Sequence, residues 1–517
     1  MAERAVEISK RSGIAAAGFV AAVILAALLA VLARAEGAGL GPADWAALRF
    51  TVVQAAWSSA LSVGCAIFLA RALARRRFWG RRAMITLLGA PFILPVIVAV
   101  LGLLAVFGRA GWLNDLLGLV GRAPLSVYGL HGVVLAHVFF NLPLATRLFL
   151  QGWQAIPAER FRLAAQLDLP APVVAKVLER PMLRQVAPGA LALIFVICLT
   201  SFAVALTLGG GPRATTLELA IYQAFRFDFD LSRAALLSVL QITVAGAAAA
   251  LALWIVPPLA FGTGKQDPGP RWDARGGVML FQDSAVIALA LAFLALPLTA
   301  VALPGLAGLM DLPVSVWRAA LSSLGVAALS IAVMLGLALP MAGWIATRRT
   351  GLAEAVGLLG LAASPLMIGT GWFILINPWV NPMSVALPVT ALVNALSALP
   401  FALRILIPAF QDALSNFGRL SAALGLGSLA IWRWVIVPRC RGAIGFAAGL
   451  TGALSVGDLG VIALFADPGR ATLPLLMYRL MGAYQMQAAA GAALVLIILA
   501  LGVFWICDRW GQANADA

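Results

Sequence analysis

Twelve stretches of this sequence are apolar for long enough to cross a lipid bilayer, and no other feature limits its fold so strongly. They lie near 13–34, 50–73, 83–107, 128–150, 188–208 and 233–258, then near 284–306, 317–346, 353–377, 384–408, 441–465 and 485–507. A hydrocarbon core of about 30 Å takes about 20 residues of helix, and backbone N–H and C=O groups inside it must be paired within the segment. The expected fold is therefore an all-α polytopic membrane protein of about 12 transmembrane helices, six before residue 260 and six after. Hydrophobic residues make up 62% of the chain and charged residues only 11%, far from the usual quarter charged of soluble domains.

The charge pattern gives these spans a direction. With a cytoplasmic N-terminus, 26 of the 36 Lys and Arg residues fall on inside segments, which is the positive-inside bias; both termini are then expected in the cytoplasm. The net charge of +15 does not point to nucleic acid, because the basic residues punctuate apolar spans and do not form one stripe. Lys10 and Arg11 ahead of an apolar run are compatible with a signal peptide, but a run of roughly 20 residues is long for a signal core and is read as an uncleaved first span.

The chain repeats itself. Arg162 to Pro181 reads RLAAQLDLPAPVVAKVLERP and Arg419 to Pro438 reads RLSAALGLGSLAIWRWVIVP, so that Leu163, Ala165, Leu167 and Pro181 fall 257 residues before Leu420, Ala422, Leu424 and Pro438. The same shift carries Leu142-Pro143, Arg147 and Gln154 onto Leu399-Pro400, Arg404 and Gln411. A duplicated half is the simplest reading. Six spans per half give both halves one orientation, a parallel repeat about an axis along the membrane normal. The halves are assigned to 1–260 and 284–517. The polar stretch 261–283, rich in Gly and Pro, is the cytoplasmic linker between them. Its Gly264-Lys265 lacks the other residues of a phosphate-binding loop, so no nucleotide site is expected.

Both copies of the repeated block, about 157–186 and 414–440, are too polar for lipid. Leu163 with Leu167, and Leu420 with Leu424, sit at i and i+4 on one helical face, leaving Arg160, Arg162 and Arg419 to face water or a partner. Small residues (Ala164, Ala165, Ser421, Ala422, Ala423) would admit another protein surface. A single such loop reads equally well as an amphipathic helix on the membrane surface; two in register favour docking.

These blocks resemble the loop motif of bacterial ABC-importer permeases, in which a Gly follows the first small residues and a Pro stands thirteen positions later. Gly425 and Pro438 keep that spacing; the first copy has Asp168 in place of the Gly, with Pro181 retained. The first docking helix is therefore expected to turn differently, because Gly reaches left-handed conformations that Asp reaches only at a cost. Further along, AIFLARALARRRFWGR (66–81), LPVIVAVLGLLAVFGRAGWL (94–113), YGLHGVVLAHVFFNLPLATRLFLQ (128–151), LGGGPRATTLELAIYQA (208–224) and GDLGVIALF (457–465) closely resemble the permease family of bacterial thiamine ABC importers. The resemblance implies fused permease halves in the inner membrane that import thiamine and its phosphates. It further implies two copies of an ATP-binding subunit inside and a periplasmic substrate-binding protein outside. A fused permease for another solute such as ferric iron shares the docking loops. An ion-coupled carrier of the major facilitator type shares the six-plus-six plan, but its basic loop needs an Asp that Arg75 to Arg82 lacks.

Three residues are candidates for a substrate path. His137 in the fourth span stands 257 before Asn394, so each half has a polar side chain at that depth, lining a path or bonding a neighbouring helix. Asp458 is the clearest carboxylate within an apolar span; it either attracts a cationic ring or bonds a neighbour. His131 is expected to be solvated. The outer loops at 209–216 and 467–472, with Asp228 and Asp230, read either as a surface for a soluble partner or as connectors with interfacial Tyr222 and Tyr478. Cys65, Cys198, Cys440 and Cys507 fall singly, without metal or disulfide spacing. No catalytic constellation, metal site or cofactor of the chain's own is expected; ATP would be bound by the partner subunits.

Overall fold

The computed structural model describes residues 10–35, 39–81, 84, 85, 88, 94–255, 271–274, 276–348, 356, 360, 363–465 and 471–512. The start of the third span, much of the ninth, the outer loop around Asp467 to Arg470 and most of the linker lie outside the described residues. The first half contributes α1 (Lys10–Arg34), α2 (Pro42–Arg75), α3 (Val96–Phe107), α4 (Leu130–Ala155), α5 (Arg180–Leu199) and α6 (Leu231–Ile255). The second contributes α7 (Gly277–Gly308), α8 (Val314–Arg348), α9 (Pro365–Ile376), α10 (Ala386–Ala423), α11 (Val437–Val456) and α12 (Met486–Gln512). Eleven described helical segments are long and apolar enough to cross a membrane, and the shorter apolar α9 stands where the remaining expected span falls. No strand occurs among the described residues. The seventh span begins at Gly277, inside the stretch expected to be linker.

The two halves match element by element, down to individual hydrogen bonds. Thr51 and Ser323 hold the same position in α2 and α8; their hydroxyls accept from the backbone N–H of Leu217 at 2.8 Å and of Leu473 at 2.9 Å. Each bond satisfies one of the orphan donors at the start of a short helix before the last span of its half, Leu217–Arg226 or Leu473–Gly482. Both docking blocks contain one π-helical turn, Ala175–Glu179 and Trp432–Ile436, each ending two residues before the repeated Pro181 or Pro438. Proline has no N–H to give to the preceding turn, and the helix widens there.

One difference follows from a single residue. Pro157 separates α4 from the docking helix Ala158–Gln166, with its own ψ at 133°. The matched position holds Leu414, and α10 runs on without a break for 38 residues.

Packing ties the halves together by exchange. α1 lies against α8 and α9 of the other half, and α7 lies against α2 and α3 of the first. Both crossings are made at a glycine. A Cβ on Gly102 of α3 would overlap the Pro297 carbonyl of α7, and one on Gly371, at the matched position of α9, would overlap the Ala27 carbonyl of α1. In lipid, where no hydrophobic force drives helices together, such close backbone approach provides the van der Waals contact.

Candidate functional site

A cavity of about 380 Å³ lies between the halves, within the ~300–1,000 Å³ range of small-molecule pockets. Eight pairs of its lining residues stand 257 positions apart, among them His137 with Asn394, Asn141 with Ala398, Ser201 with Asp458 and Phe202 with Leu459. The cavity is therefore lined by equivalent positions of the two repeats. α4 and α10 each give one wall; the breaks that end α5 at Thr200 and α11 at Gly457, the starts of α3 and α9, and Glu218 complete the lining.

Beside this cavity each half builds a polar junction from matched positions. In the first half His137 Nδ1 shares a 3.0 Å hydrogen bond with Ser58 of α2, Asn141 donates to Cys198 Sγ at 3.4 Å, and Gln54 donates to the Cys198 carbonyl at 2.8 Å. In the second half Asn394 donates to Ser455 Oγ at 3.0 Å, and Ser455 shares a 2.8 Å bond with Ser330. Ser58 and Ser330 hold one position in α2 and α8, and Cys198 and Ser455 one position in α5 and α11. The two readings of His137 and Asn394 thus merge: each joins helices and lines the cavity. His137 Nε2 has no hydrogen-bond partner among the described residues. Three expected path residues, His137, Asn394 and Asp458, meet in one cavity. His131 lies apart, exposed, with its ring against the Ser126 carbonyl.

Sequence reasoning missed Glu218. It is 1% exposed, lines the cavity, and has no hydrogen-bond partner for either carboxylate oxygen among the described residues. It stands in the first turn of Leu217–Arg226, on a stretch that reads as the end of an outer connector. The LELAIYQ run around it, apolar at helical spacing, was the available signal. Tyr222 on the same helix also departs from expectation. It is buried, not interfacial, with its ring 5.2 Å from Phe202 and 5.7 Å from Phe227. Asp228 and Asp230 bind Arg233, which also bridges to Asp44 at 2.8 Å.

The residues expected to dock a partner form two matched exposed faces. Leu163 and Leu167 are 57% and 63% exposed, Leu420 and Leu424 55% and 64%, and Arg162, Arg419, Ala165, Ala422, Pro181 and Pro438 are exposed beside them. Ala164 and Ser421 correct the expectation for the small residues: both are buried and turned toward the bundle. The expected difference between the two turns is also corrected. Asp168 has φ 43° and Gly425 φ 64°. The same three backbone bonds close both: Leu167, Asp168 and Leu169 donate to Leu163, Ala165 and Ala164, and Leu424, Gly425 and Leu426 to Leu420, Ala422 and Ser421. These local bonds hold Asp168 in the left-handed region at its conformational cost.

Behind the helix Ala158–Gln166 lies an ion cluster with no counterpart among the described residues of the second half. Glu179 lies 2.8 Å from Arg71, 3.0 Å from Arg271 and 3.6 Å from Arg75, and Arg271 lies 2.7 Å from Asp273 and over the Phe161 ring at 4.5 Å. Arg271 and Asp273 belong to the stretch between the halves, which is thereby pinned to the docking block. In the second half the positions of Trp153 and Glu179 hold Phe410 and Ile436, and Phe410 meets Trp432 edge-on at 5.6 Å.

Among the described residues no group of His, Cys, Asp and Glu comes together as a metal site. No protein-family model matches the chain. Among curated proteins it is similar to the thiamine transport system permease protein ThiP of Brucella abortus (strain 2308), 40% identical over 97% of this chain and 95% of the relative. It is similar to the proteins of the same description from Salmonella typhimurium, 38% identical over 96% of each chain, and from Escherichia coli K12, 38% over 97% of this chain and 96% of the relative.

Proposed function

The chain belongs to the permease family of thiamine transport systems, and from that premise we propose that it is the membrane subunit through which an ABC importer carries thiamine into the cytoplasm. ATP hydrolysis takes place on separate subunits. The observation that carries this reading is the cavity between the repeats, lined by eight matched pairs of residues. A path that opens alternately to the two membrane faces needs a site where both halves meet, and rocking of one half against the other exposes it.

The two leucine faces, at Leu163 with Leu167 and at Leu420 with Leu424, receive two copies of an ATP-binding subunit. Such exposed apolar pairs on otherwise polar segments mark protein contacts. Their movement reaches the cavity directly, because the docking helix of the second half is the end of α10, whose Asn394 lines it. A periplasmic substrate-binding protein delivers the cargo on the opposite face, and both termini lie in the cytoplasm, as the distribution of Lys and Arg supports.

Uptake of labelled thiamine by cells that lack this chain, and by the same cells given it back with its partner subunits, tests the reading. Restored thiamine uptake with unchanged ferric uptake is the expected result. Restored ferric uptake alone would overturn it.

A further inference from the structure

The cavity is acidic in a basic protein. The chain carries a net charge of +15, yet the charged residues lining the cavity are Glu218 and Asp458, with no Lys or Arg among the described lining residues. Neither acid is fully paired. Glu218 has only the neutral side chains of Ser364 and Gln241 beside it, neither at full hydrogen-bond geometry; Asp458 Oδ1 accepts from the Gly460 N–H at 3.2 Å while Oδ2 has no partner among the described residues. Holding an unpaired carboxylate inside a protein costs several kcal/mol when it is ionised.

The repeat supplies an internal control on whether the fold needs these acids. Position 201, which matches Asp458, is Ser, and it lines the same cavity. Thr216 and Thr472 stand at the starts of matched outer helices, so Glu218 corresponds to Pro474. The architecture accepts a neutral residue at both places. One half contributes Glu218 and the other Asp458, from different elements, and the two acids share only the space between the halves.

The remaining walls suit an organic cation. Phe140, Phe202 and Phe401 line the cavity, and aromatic faces attract a positive charge by about 0.5–2 kcal/mol. Resting on the reading of the chain as a thiamine permease, we propose that Glu218 and Asp458 determine specificity by supplying the counter-charge for the cationic ring of the cargo as it passes between the halves. A neutral solute of the same size would leave both acids protonated and gain nothing from them, whereas a cation is favoured by their ionised form.

The test uses the assembled transporter, with its ATPase subunits and binding protein, in proteoliposomes, and labelled thiamine as the probe. Glu218→Gln and Asp458→Asn keep the shape and remove the charge; Glu218→Asp and Asp458→Glu keep the charge and alter the length. The expected result is at least a tenfold loss of uptake in each neutral variant and retention of more than a third of wild-type uptake in each charge-preserving one. Wild-type uptake by Gln and Asn variants that copurify with the ATPase would overturn the proposal. So would greater loss in the charge-preserving pair, or failure of the neutral variants to assemble, since either assigns the acids to packing. Absence of thiamine uptake by the wild-type assembly would instead overturn the thiamine reading itself.

Discussion

Glu179 accepts a hydrogen bond from Arg271 at 3.0 Å across 92 residues of chain, and so fastens the segment between the halves to the first docking block. Its repeat position is Ile436, wholly buried. The two docking blocks share an outer face and differ in what holds them from behind: one rests on charges, the other on aromatic and aliphatic packing.

That difference predicts an asymmetric response. Glu179→Ile, which copies the second half, leaves Arg71, Arg75 and Arg271 with Asp273 as the one acid in the cluster. Breaking a buried pair by removing one partner costs about 3–5 kcal/mol, so the purified chain in detergent should melt at a clearly lower temperature. Ile436→Val should be nearly neutral, at about 0.5–1.5 kcal/mol. Thermal unfolding of both variants checks the contrast.

Acid should loosen the same cluster. Burial raises the Asp273 carboxyl, but the hydrogen bonds and charge of Arg271 and the charge of Arg75 outweigh it and hold the carboxyl below its usual range. A depressed acid contributes stability that is complete above its unfolded value near 4 and is lost as pH falls through the lower folded value. Melting temperature should therefore fall below about pH 4 more steeply in the wild type than in Asp273→Asn.

Gly425 and Asp168 make one turn with different residues. Nothing lies within 4 Å of a Cβ at Gly425, so the cost of a side chain there is purely conformational, about 1–2 kcal/mol for left-handed backbone and greater for a β-branched residue. Gly425→Val should reduce ATP-driven uptake and ATPase copurification more than Gly425→Asp. Asp168→Gly should leave the turn in place and gain up to about 1 kcal/mol. Equal behaviour of Gly425→Val and Gly425→Asp would contradict this.

Gly102 and Gly371 should be equally intolerant. A methyl group at either meets a carbonyl of the opposite half's first helix, and overpacking costs about 1–3 kcal/mol or more. Gly102→Val and Gly371→Val should each give less folded, monodisperse chain on size-exclusion chromatography than Gly64→Val, at a position with open space around it.

One copy of the chain should bind two ATPase copies, because one polypeptide carries both docking faces. Native mass spectrometry of the solubilised assembly reads the ratio. A stable homodimer of the chain without ATPase would contradict it.

The sequence by itself determined the helices, their number and their duplication, since in lipid each segment must satisfy its own backbone and apolar length is a local property. Likewise local were the docking spacing from Gly425 to Pro438 and the polar pair His137 and Asn394, both visible through self-comparison. The break at Pro157, absent at Leu414, was equally open to reading. Tertiary structure decided which faces meet. It crossed α1 and α7 between the halves at Gly371 and Gly102, and it buried Tyr222 and Glu218 from a stretch that reads as an outer connector. It also brought Arg271 to Glu179. Each of these depends on contacts between residues far apart in the chain, and helix periodicity carries no record of which distant surface will cover a given face.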